Sequence, residues 1–166
     1  AFDLSAPTFR HKAYAEYKGT RKSMPDELRE QVPLIKDVLS SMNIPILTME
    51  GYEADDIIGT IAKRYQSDEV FVSVISGDRD LLQLSDKHIK IRIPKTSKGV
   101  TTVHDYLPED VMNEYGVTPK EFIDVKALMG DVSDNVPGVP SIGEKTATKI
   151  IQEYHSIENA IEHVDE

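Results

Sequence analysis

Three carboxylates crowd a predicted junction between a strand and a helix. The apolar segment at 44–49 (IPILTM) predicts a strand, and the pattern at about 53–66 predicts a helix. Glu53, Asp55 and Asp56 lie between them in the sequence GYEADD. A helix dipole favours one or two acids in its first turn, but three acids within four residues repel each other more than capping requires. Since ligands of α/β proteins gather at the carboxyl ends of strands, this junction predicts an α/β fold with an acidic site.

Carboxylates recur at other predicted element ends. A β-branched and aromatic strand at 69–76 (EVFVSVIS) runs into one pair, and the helical pattern at 122–129 runs into another. The residues concerned are Asp78, Asp80, Asp131 and Asp134, together with Asp3 after a short apolar start. Clustered carboxylates repel each other unless cations neutralise them, and hard oxygen ligands suit Mg²⁺ or Mn²⁺. Two such ions about 4 Å apart are the usual arrangement for phosphodiester hydrolysis.

Composition limits the possible classes of protein. The 166 residues suffice for one domain, or for a domain with a small subdomain. The absence of cysteine excludes disulfides and thiolate metal sites, and no apolar run reaches membrane-spanning length. We therefore expect a soluble intracellular protein with no membrane partner. The net charge of −10 argues against a nucleic-acid partner, but bound cations at the acidic clusters would offset much of it.

The segment at 7–22 combines cations with aromatic rings. It carries five basic residues and a single acid, Glu16. Cations for phosphates and rings for bases suit single-stranded nucleic acid. A solvated basic helix whose rings pack inward is the alternative that the sequence leaves open. The candidate DNA contacts are Arg10, Lys12, Tyr14, Lys18, Arg21 and Lys22.

The segment at 136–147 (VPGVPSIGEKTA) predicts a Gly/Pro-rich turn that leads into a helix. Backbone N–H groups at a helix start can bind a phosphate, and lysines would add charge. The segment resembles a helix-hairpin-helix element, which binds the DNA backbone, although an ordinary turn between packed helices is the alternative. The candidate contacts are Gly138, Ile142, Gly143, Lys145, Thr146 and Lys149.

Further elements follow from periodicity and capping signals. Ser23 is a candidate cap for a helix to about residue 42, in which Pro33 predicts a kink. The other predicted elements are a short helix at 81–84, a hairpin of 90–93 with 100–103, helices at about 108–115 and 119–129, and a final helix at 157–164 capped by Ser156.

Five ordered motifs together resemble a known family. They are FD…FRH..Y..YKG.R, GYEADD, SGDRDLLQL, GDVSDN and GV..IGEKTA. In this order and spacing they are strongly similar to the 5′-nuclease domains of bacterial DNA polymerase I, within the flap-endonuclease family. The resemblance covers nearly the whole chain. It implies a structure-specific 5′-3′ exonuclease and 5′-flap endonuclease that hydrolyses DNA by two-metal catalysis in primer removal and repair.

The resemblance also implies roles for individual residues. Asp3, Glu53, Asp55 and Asp56 would serve the first metal site, and Asp78, Asp80, Asp131 and Asp134 the second, each holding Mg²⁺ or Mn²⁺. Arg10, Tyr17 and Lys18 match the family's arch, where cations contact the scissile phosphate. The segment at 136–149 matches the element that binds the duplex and, in the family, K⁺ through backbone carbonyls.

The implied architecture has two parts. A three-layer PIN-like α/β domain with a mostly parallel sheet would cover residues 1–103, with a basic arch at about 7–43, and a helical DNA-binding subdomain would cover 104–166. The implied partner is DNA with 5′ flaps, nicks or forks, bound by a monomer in the bacterial cytoplasm, with the nucleoid. Whether a polymerase domain follows in the parent chain is left open.

The chain departs from the family pattern at its start. The family begins with a strand that ends in another metal-binding Asp, whereas this chain starts at Ala1-Phe2-Asp3, so we expect a fragment truncated at both ends. Ser141 stands where the family usually has Gly. Two alternatives therefore stay open: a catalytically incomplete DNA-binding fragment, and another acidic-site enzyme such as a PIN-type ribonuclease or an Asp-x-Asp phosphatase.

Overall fold

The computed structural model describes residues 1–164, which divide into two compact units. The N-terminal unit comprises residues 1–58 and 132–136, and the C-terminal unit comprises residues 59–131 and those from 137 onward. The helices are α1 (Phe9–Ala13), α2 (Asp26–Ser41), α3 (Ala54–Tyr65), α4 (Pro108–Tyr115), α5 (Glu121–Met129), α6 (Glu144–Tyr154) and α7 (Ile157–Glu162), with a 3₁₀ helix at Arg79–Leu84. The strands are β1 (Val72–Ile75), β2 (Ile89–Ser97), β3 (Val100–Tyr106), β4 (Gly130–Asp131) and β5 (Val136–Pro137).

Helix α2 dominates the N-terminal unit. It begins at Asp26 after Pro25, so the predicted cap at Ser23 is wrong, and acids in its first turn complement the helix dipole instead. The helix continues through Pro33 to Ser41. No residue of α2 is buried, and four of its large apolar side chains, those of Leu28, Leu34, Ile35 and Val38, are about half exposed.

The predicted strand at 44–49 does not form, nor does a strand at residues 1–3. The two segments share one backbone hydrogen bond, from Phe2 N to Leu47 O at 3.0 Å. A strand requires a repeated ladder of such bonds with a neighbour, and a β-branched apolar sequence does not supply that neighbour by itself.

The sheet lies in the C-terminal unit and has the order β1-β2-β3. Strand β1 runs parallel to β2, with Val72 opposite Ile89, and β2 is antiparallel to β3, with Ile93 opposite His104. Alternate residues of β2 enter the core, where Ile89 and Ile91 are completely buried. The predicted hairpin is therefore present and longer than expected, while the strand predicted at 69–76 shortens to 72–75.

The helices of the C-terminal unit begin near the predicted positions. Pro108 opens α4, and Ser156 caps α7 by accepting a hydrogen bond from Asn159 N at 3.1 Å. The short helix predicted near 81–84 is the 3₁₀ helix from Arg79. Helices α5 and α6 pack together, and their fully buried side chains include Ile151. The α/β class with a helical C-terminal part is confirmed.

No helix within residues 1–164 is both long enough and apolar enough to span a membrane. The predicted division into residues 1–103 and 104–166 stays a prediction, and its last two residues lie outside the described part of the chain.

Candidate functional site

Glu53, Asp56 and Asp134 form one acidic cluster in the N-terminal unit, here called the first cluster. The buried Tyr17 joins two of its members, because its hydroxyl lies 3.1 Å from a Glu53 oxygen and 3.0 Å from an Asp134 oxygen. A hydroxyl carries one hydrogen, so Tyr17 donates to one carboxylate at a time. The family resemblance implied that Asp134 serves the second metal site, but the structure gives it the same tyrosine partner as Glu53.

Cations from the basic segment neutralise the first cluster. Arg10 binds Asp56 through two parallel hydrogen bonds of 2.7 and 2.8 Å, the strong geometry of a guanidinium and a carboxylate. Two further basic residues of the segment bind the remaining acids. Lys18 Nζ is 2.8 Å from Glu53 Oε1 and 3.9 Å from Asp134 Oδ2, and Arg21 also pairs with Asp134. Three of the predicted DNA contacts therefore bind carboxylates in this structure.

Backbone contacts hold these side chains in place. Lys18 adopts a left-handed conformation (φ 56°), and its N–H donates to Asp134 O at 2.7 Å. Asn135 donates from its side chain to Glu16 O at 2.8 Å. The segment at 132–136 is thus bonded to the turn that carries Tyr17 and Lys18.

Asp3 and Asp55 lie beside the start of α3. Asp3 accepts a hydrogen bond from Ala54 N at 2.6 Å, which satisfies a backbone donor at the helix N-terminus. Asp55 is half-buried in the first turn of α3. Helix capping thus accounts for the position of Asp3. A cleft of about 360 Å³, bordered by Asp3, Lys18 and Glu53, opens beside these residues.

Electrostatics shift the pKa values of Asp56 and Tyr17. The hydrogen bond from Arg10 lowers the pKa of Asp56 below its ordinary value of 3.8, so this carboxylate stays ionised. Burial, followed by the charge of Glu53, raises the pKa of Tyr17 above its ordinary value of 10.0. Tyr17 is therefore a neutral hydrogen-bond donor at physiological pH.

Asp80, Asp131 and Lys126 form the second cluster, which lies in the C-terminal unit. The Lys126 ammonium is 3.0 Å from Asp80 Oδ1 and 2.8 Å from Asp131 Oδ2. Asp78 caps the 3₁₀ helix, since its carboxylate accepts a hydrogen bond from Asp80 N at 2.8 Å. Burial raises the pKa of Asp80 above its ordinary value, and the nearby charges of Asp78 and Asp131 add to this shift.

Sequence reasoning missed Lys126. Its signal was present, because it is the only basic residue in the sequence of α5 and lies five residues before Asp131. A cleft of about 400 Å³ adjoins the second cluster. Its lining includes Arg79, which binds Glu114 at 2.8 Å and also contacts the Tyr115 hydroxyl.

Both clusters have the carboxylate oxygens that cations bind, although neither has its side chains arranged as a complete metal-binding site. Within residues 1–164, no group of three or more acidic or histidine side chains is arranged to hold a metal ion. In each cluster, however, one ammonium already lies within 4 Å of two carboxylates. Carboxylate oxygens are the donors that Mg²⁺ and Mn²⁺ prefer, so the donor chemistry fits these ions.

The turn before α6 has the backbone that its sequence predicts. A Cβ atom on Gly138 would lie 2.3 Å from Met129 C, so no larger residue fits without a shift. Ser141 has a φ of 68°, a left-handed conformation that glycine adopts more readily than serine. Gly143 is the N-cap of α6.

The remaining candidate DNA contacts vary in exposure. Tyr14 is half-buried, and its hydroxyl lies 3.3 Å from a Glu16 oxygen. Ile142 is likewise half-buried. The exposed candidates are Lys12, Lys22, Lys145, Thr146 and Lys149.

Comparison with protein families matches the whole chain. Residues 1–116 match the N-terminal resolvase-like domain of 5′-3′ exonucleases, and residues 117–166 match their C-terminal SAM fold. The chain is 51% identical to DNA polymerase I of Bacillus caldotenax over all of its 166 residues, which span 19% of that protein's length.

Solved structures give the same result. The bacteriophage T5 5′-exonuclease with bound divalent zinc ions is 30% identical, with a TM-score of 0.76 over 97% of this chain and 61% of that one. A complex of the T5 D15 flap endonuclease with DNA and metal ions is 29% identical, with a TM-score of 0.74 over 96% of this chain and 61% of that one.

Proposed function

Because the chain belongs to the 5′-3′ exonuclease family, we propose that it forms part of a divalent-metal-dependent 5′ nuclease that hydrolyses DNA phosphodiesters. The observation that carries this proposal is the pair of acidic clusters, in each of which two carboxylates share one ammonium. Such carboxylate pairs are suited to hold divalent cations, and membership of the family supports phosphodiester hydrolysis as the reaction that those cations would serve.

The proposed ligands divide between the two units. Glu53, Asp56 and Asp134, with Asp3 and Asp55 beside them, would hold one ion, Mg²⁺ or Mn²⁺. Asp80 and Asp131, with Asp78 beside them, would hold the other. When bound, these ions would lower the pKa of a water molecule and offset the negative charge that develops on the phosphate.

The chain's own cations would contact the substrate. Arg10 and Lys18 bind carboxylates in this structure, and a scissile phosphate offers them the same oxygen chemistry. Fixed positive charge aimed at the phosphate stabilises the transition state. Tyr17 stays protonated and orients Glu53 and Asp134.

The turn at 136–149 would bind the DNA backbone. Gly138 permits a close approach of two backbone segments, and Lys145 and Lys149 are exposed on α6. Backbone-directed binding carries no base information, which suits an enzyme that selects substrates by shape, such as 5′ flaps, nicks and forks. We also propose that backbone carbonyls of this turn hold a K⁺ ion. The protein would act as a monomer in the bacterial cytoplasm.

DNA binding without cleavage is the second candidate. The observation that favours it is that the described residues arrange no group of three acidic or histidine side chains for a metal ion. Each carboxylate pair is instead bound to a lysine, and in the first cluster to arginines as well.

One experiment separates these candidates. A duplex with a labelled 5′ flap is incubated with the protein in Mg²⁺, in Mn²⁺ and in chelator, while binding is followed by fluorescence anisotropy. The nuclease proposal predicts metal-dependent cuts near the flap junction that leave a 5′ phosphate. Flap binding without cuts supports the second candidate, and absence of both contradicts both proposals once circular dichroism has shown a folded chain.

A further inference from the structure

A single ammonium holds the second cluster together. Lys126 Nζ lies 3.0 Å from Asp80 and 2.8 Å from Asp131, and about a quarter of the lysine side chain is exposed. The two acids come from different elements, because Asp80 belongs to the 3₁₀ helix and Asp131 follows α5. Lys126 therefore bridges two acids that are 51 positions apart in the sequence, through charge and a hydrogen bond to Asp131.

Without that ammonium, the acids would repel one another. The charges of Asp78 and Asp131 both act on Asp80, which is itself partly removed from water. Carboxylates this close cannot all remain ionised at low energy unless a cation lies between them. Lys126 supplies the cation, and its flexible four-carbon side chain can also carry the ammonium away.

Space for such a movement is present. The cleft of about 400 Å³ beside the second cluster is lined by Lys126 itself, together with Asp80, Glu144 and Thr148. An ammonium that leaves the two aspartates therefore has solvent and a further carboxylate within the same cleft.

We propose that Lys126 is an internal counter-ion that occupies the cation position between Asp80 and Asp131 and is displaced when a divalent metal ion binds there. The inference rests on the proposed function, because that proposal places a divalent ion at these aspartates. The ammonium and the metal ion then exclude each other, and metal affinity at this cluster is set partly by the cost of releasing Lys126.

Metal affinity gives the first test. Mn²⁺ binding is measured by the loss of the free-ion paramagnetic resonance signal for the wild type, Lys126→Met and the matched control Lys63→Met. Lys63 binds a single carboxylate, Asp86, at 3.0 Å in the same unit. Removal of the competing ammonium should tighten Mn²⁺ binding by about tenfold or more, whereas the control should bind as the wild type does. Lys126→Gln provides a second variant if the methionine variant does not fold.

The second test measures how accessible the Lys126 amine is to a reagent. It distinguishes displacement of Lys126 by the metal ion from a purely electrostatic effect of a lysine that stays in place. The wild type is treated with an amine-acylating reagent with and without saturating Mg²⁺, and modification is quantified by peptide mass spectrometry. Displacement predicts that Mg²⁺ increases acylation of Lys126 several-fold and leaves Lys63 unchanged. Equal acylation of Lys126 in both conditions, or equal Mn²⁺ affinity of wild type and variants, overturns the inference.

Flap cleavage run in parallel keeps this inference distinct from the proposed function. Metal-dependent cleavage with unchanged Lys126 acylation overturns the counter-ion role alone. Tighter Mn²⁺ binding by Lys126→Met with Mg²⁺-dependent acylation supports the role even if the flap is not cut. If neither the wild type nor the Lys126 variants bind Mn²⁺, the inference and the proposed metal sites both fail.

Discussion

The ammonium of Lys18 lies 2.8 Å from a carboxylate oxygen of Glu53. Lys18 reaches this position from a left-handed backbone conformation, and Glu53 directly precedes helix α3. Lys18, which has a proposed catalytic role, thus forms an ion pair with Glu53, which has a proposed metal-binding role. Through this ion pair, the basic segment at 7–22 contributes to the first cluster.

Lys18→Ala should slow single-turnover cleavage of a 5′ flap by about 10²–10³-fold, because it removes a fixed charge directed at the phosphate. Quench-flow at saturating enzyme measures the chemical step. Lys95→Ala, which removes an exposed lysine of β2, is the control and should cleave at the wild-type rate. An unchanged rate in Lys18→Ala would remove Lys18 from the proposed mechanism.

Ser141→Gly should stabilise the protein by about 0.5–1 kcal/mol, since serine is strained at a φ of 68° and glycine is not. Urea denaturation followed by circular dichroism measures the difference. Ser73→Gly, in an exposed position of β1, should instead destabilise by about 0.5–1 kcal/mol. A loss of stability in Ser141→Gly would show that the serine side chain makes a contribution larger than the strain.

Gly138→Ala should destabilise the protein by about 1–3 kcal/mol, because the added Cβ would lie 2.3 Å from Met129 C and 2.5 Å from Gly130 N. The same substitution at Gly77 meets no atom within 4 Å and serves as the control. We also expect weaker duplex binding by Gly138→Ala in an electrophoretic mobility shift. Equal stability of the two variants would argue against the close backbone approach.

Glu114 gives a prediction for the pH dependence of stability. The hydrogen bond from Arg79, followed by that from Tyr106, lowers the pKa of Glu114 below its ordinary value of 4.5. A lowered pKa in the folded state means that the stabilisation is complete above pH 4.5 and is lost as pH falls through the folded-state pKa.

Glu114→Gln should therefore cost about 0.5–1 kcal/mol at pH 7, and this difference should shrink below pH 4.5. Urea denaturation at several pH values between 3 and 7 measures it. In an Arg79→Ala background, the pH dependence of the difference should be much reduced. A difference that grew on acidification would contradict the assigned charge state.

Local sequence signals predicted most helices well. Pro108 marked the start of α4, Ser156 marked the cap of α7, and the periodic apolar residues of 53–66 marked α3, which spans Ala54–Tyr65. These signals act within one or two helical turns, so neighbouring residues suffice to reveal them. The segment at 44–49 was predicted wrongly because a strand depends on a partner that its own sequence does not contain.

The candidate site shows the same limit. Their location at the ends of predicted elements marked Glu53, Asp56, Asp80 and Asp131 as candidate site residues. The sequence did not reveal which cation binds which acid, because partners such as Tyr17 and Asp134 are separated by 117 positions. Lys126 lies five residues before one partner, Asp131, but its second partner, Asp80, is distant in the sequence and meets it only in the fold.

Cleavage by Asp78→Asn tests the proposed function most directly. Asparagine caps a helix as well as aspartate does, so the substitution removes a negative charge from the proposed metal site while it keeps the cap of the 3₁₀ helix. Single-turnover cleavage of a 5′ flap in Mg²⁺ is compared among the wild type, Asp78→Asn and the control Asp86→Asn, with flap binding measured in parallel. We predict Mg²⁺-dependent cleavage by the wild type and the control, and none by Asp78→Asn, which should still bind the flap. Equal cleavage by Asp78→Asn, or flap binding without cleavage by the wild type, would contradict the proposal.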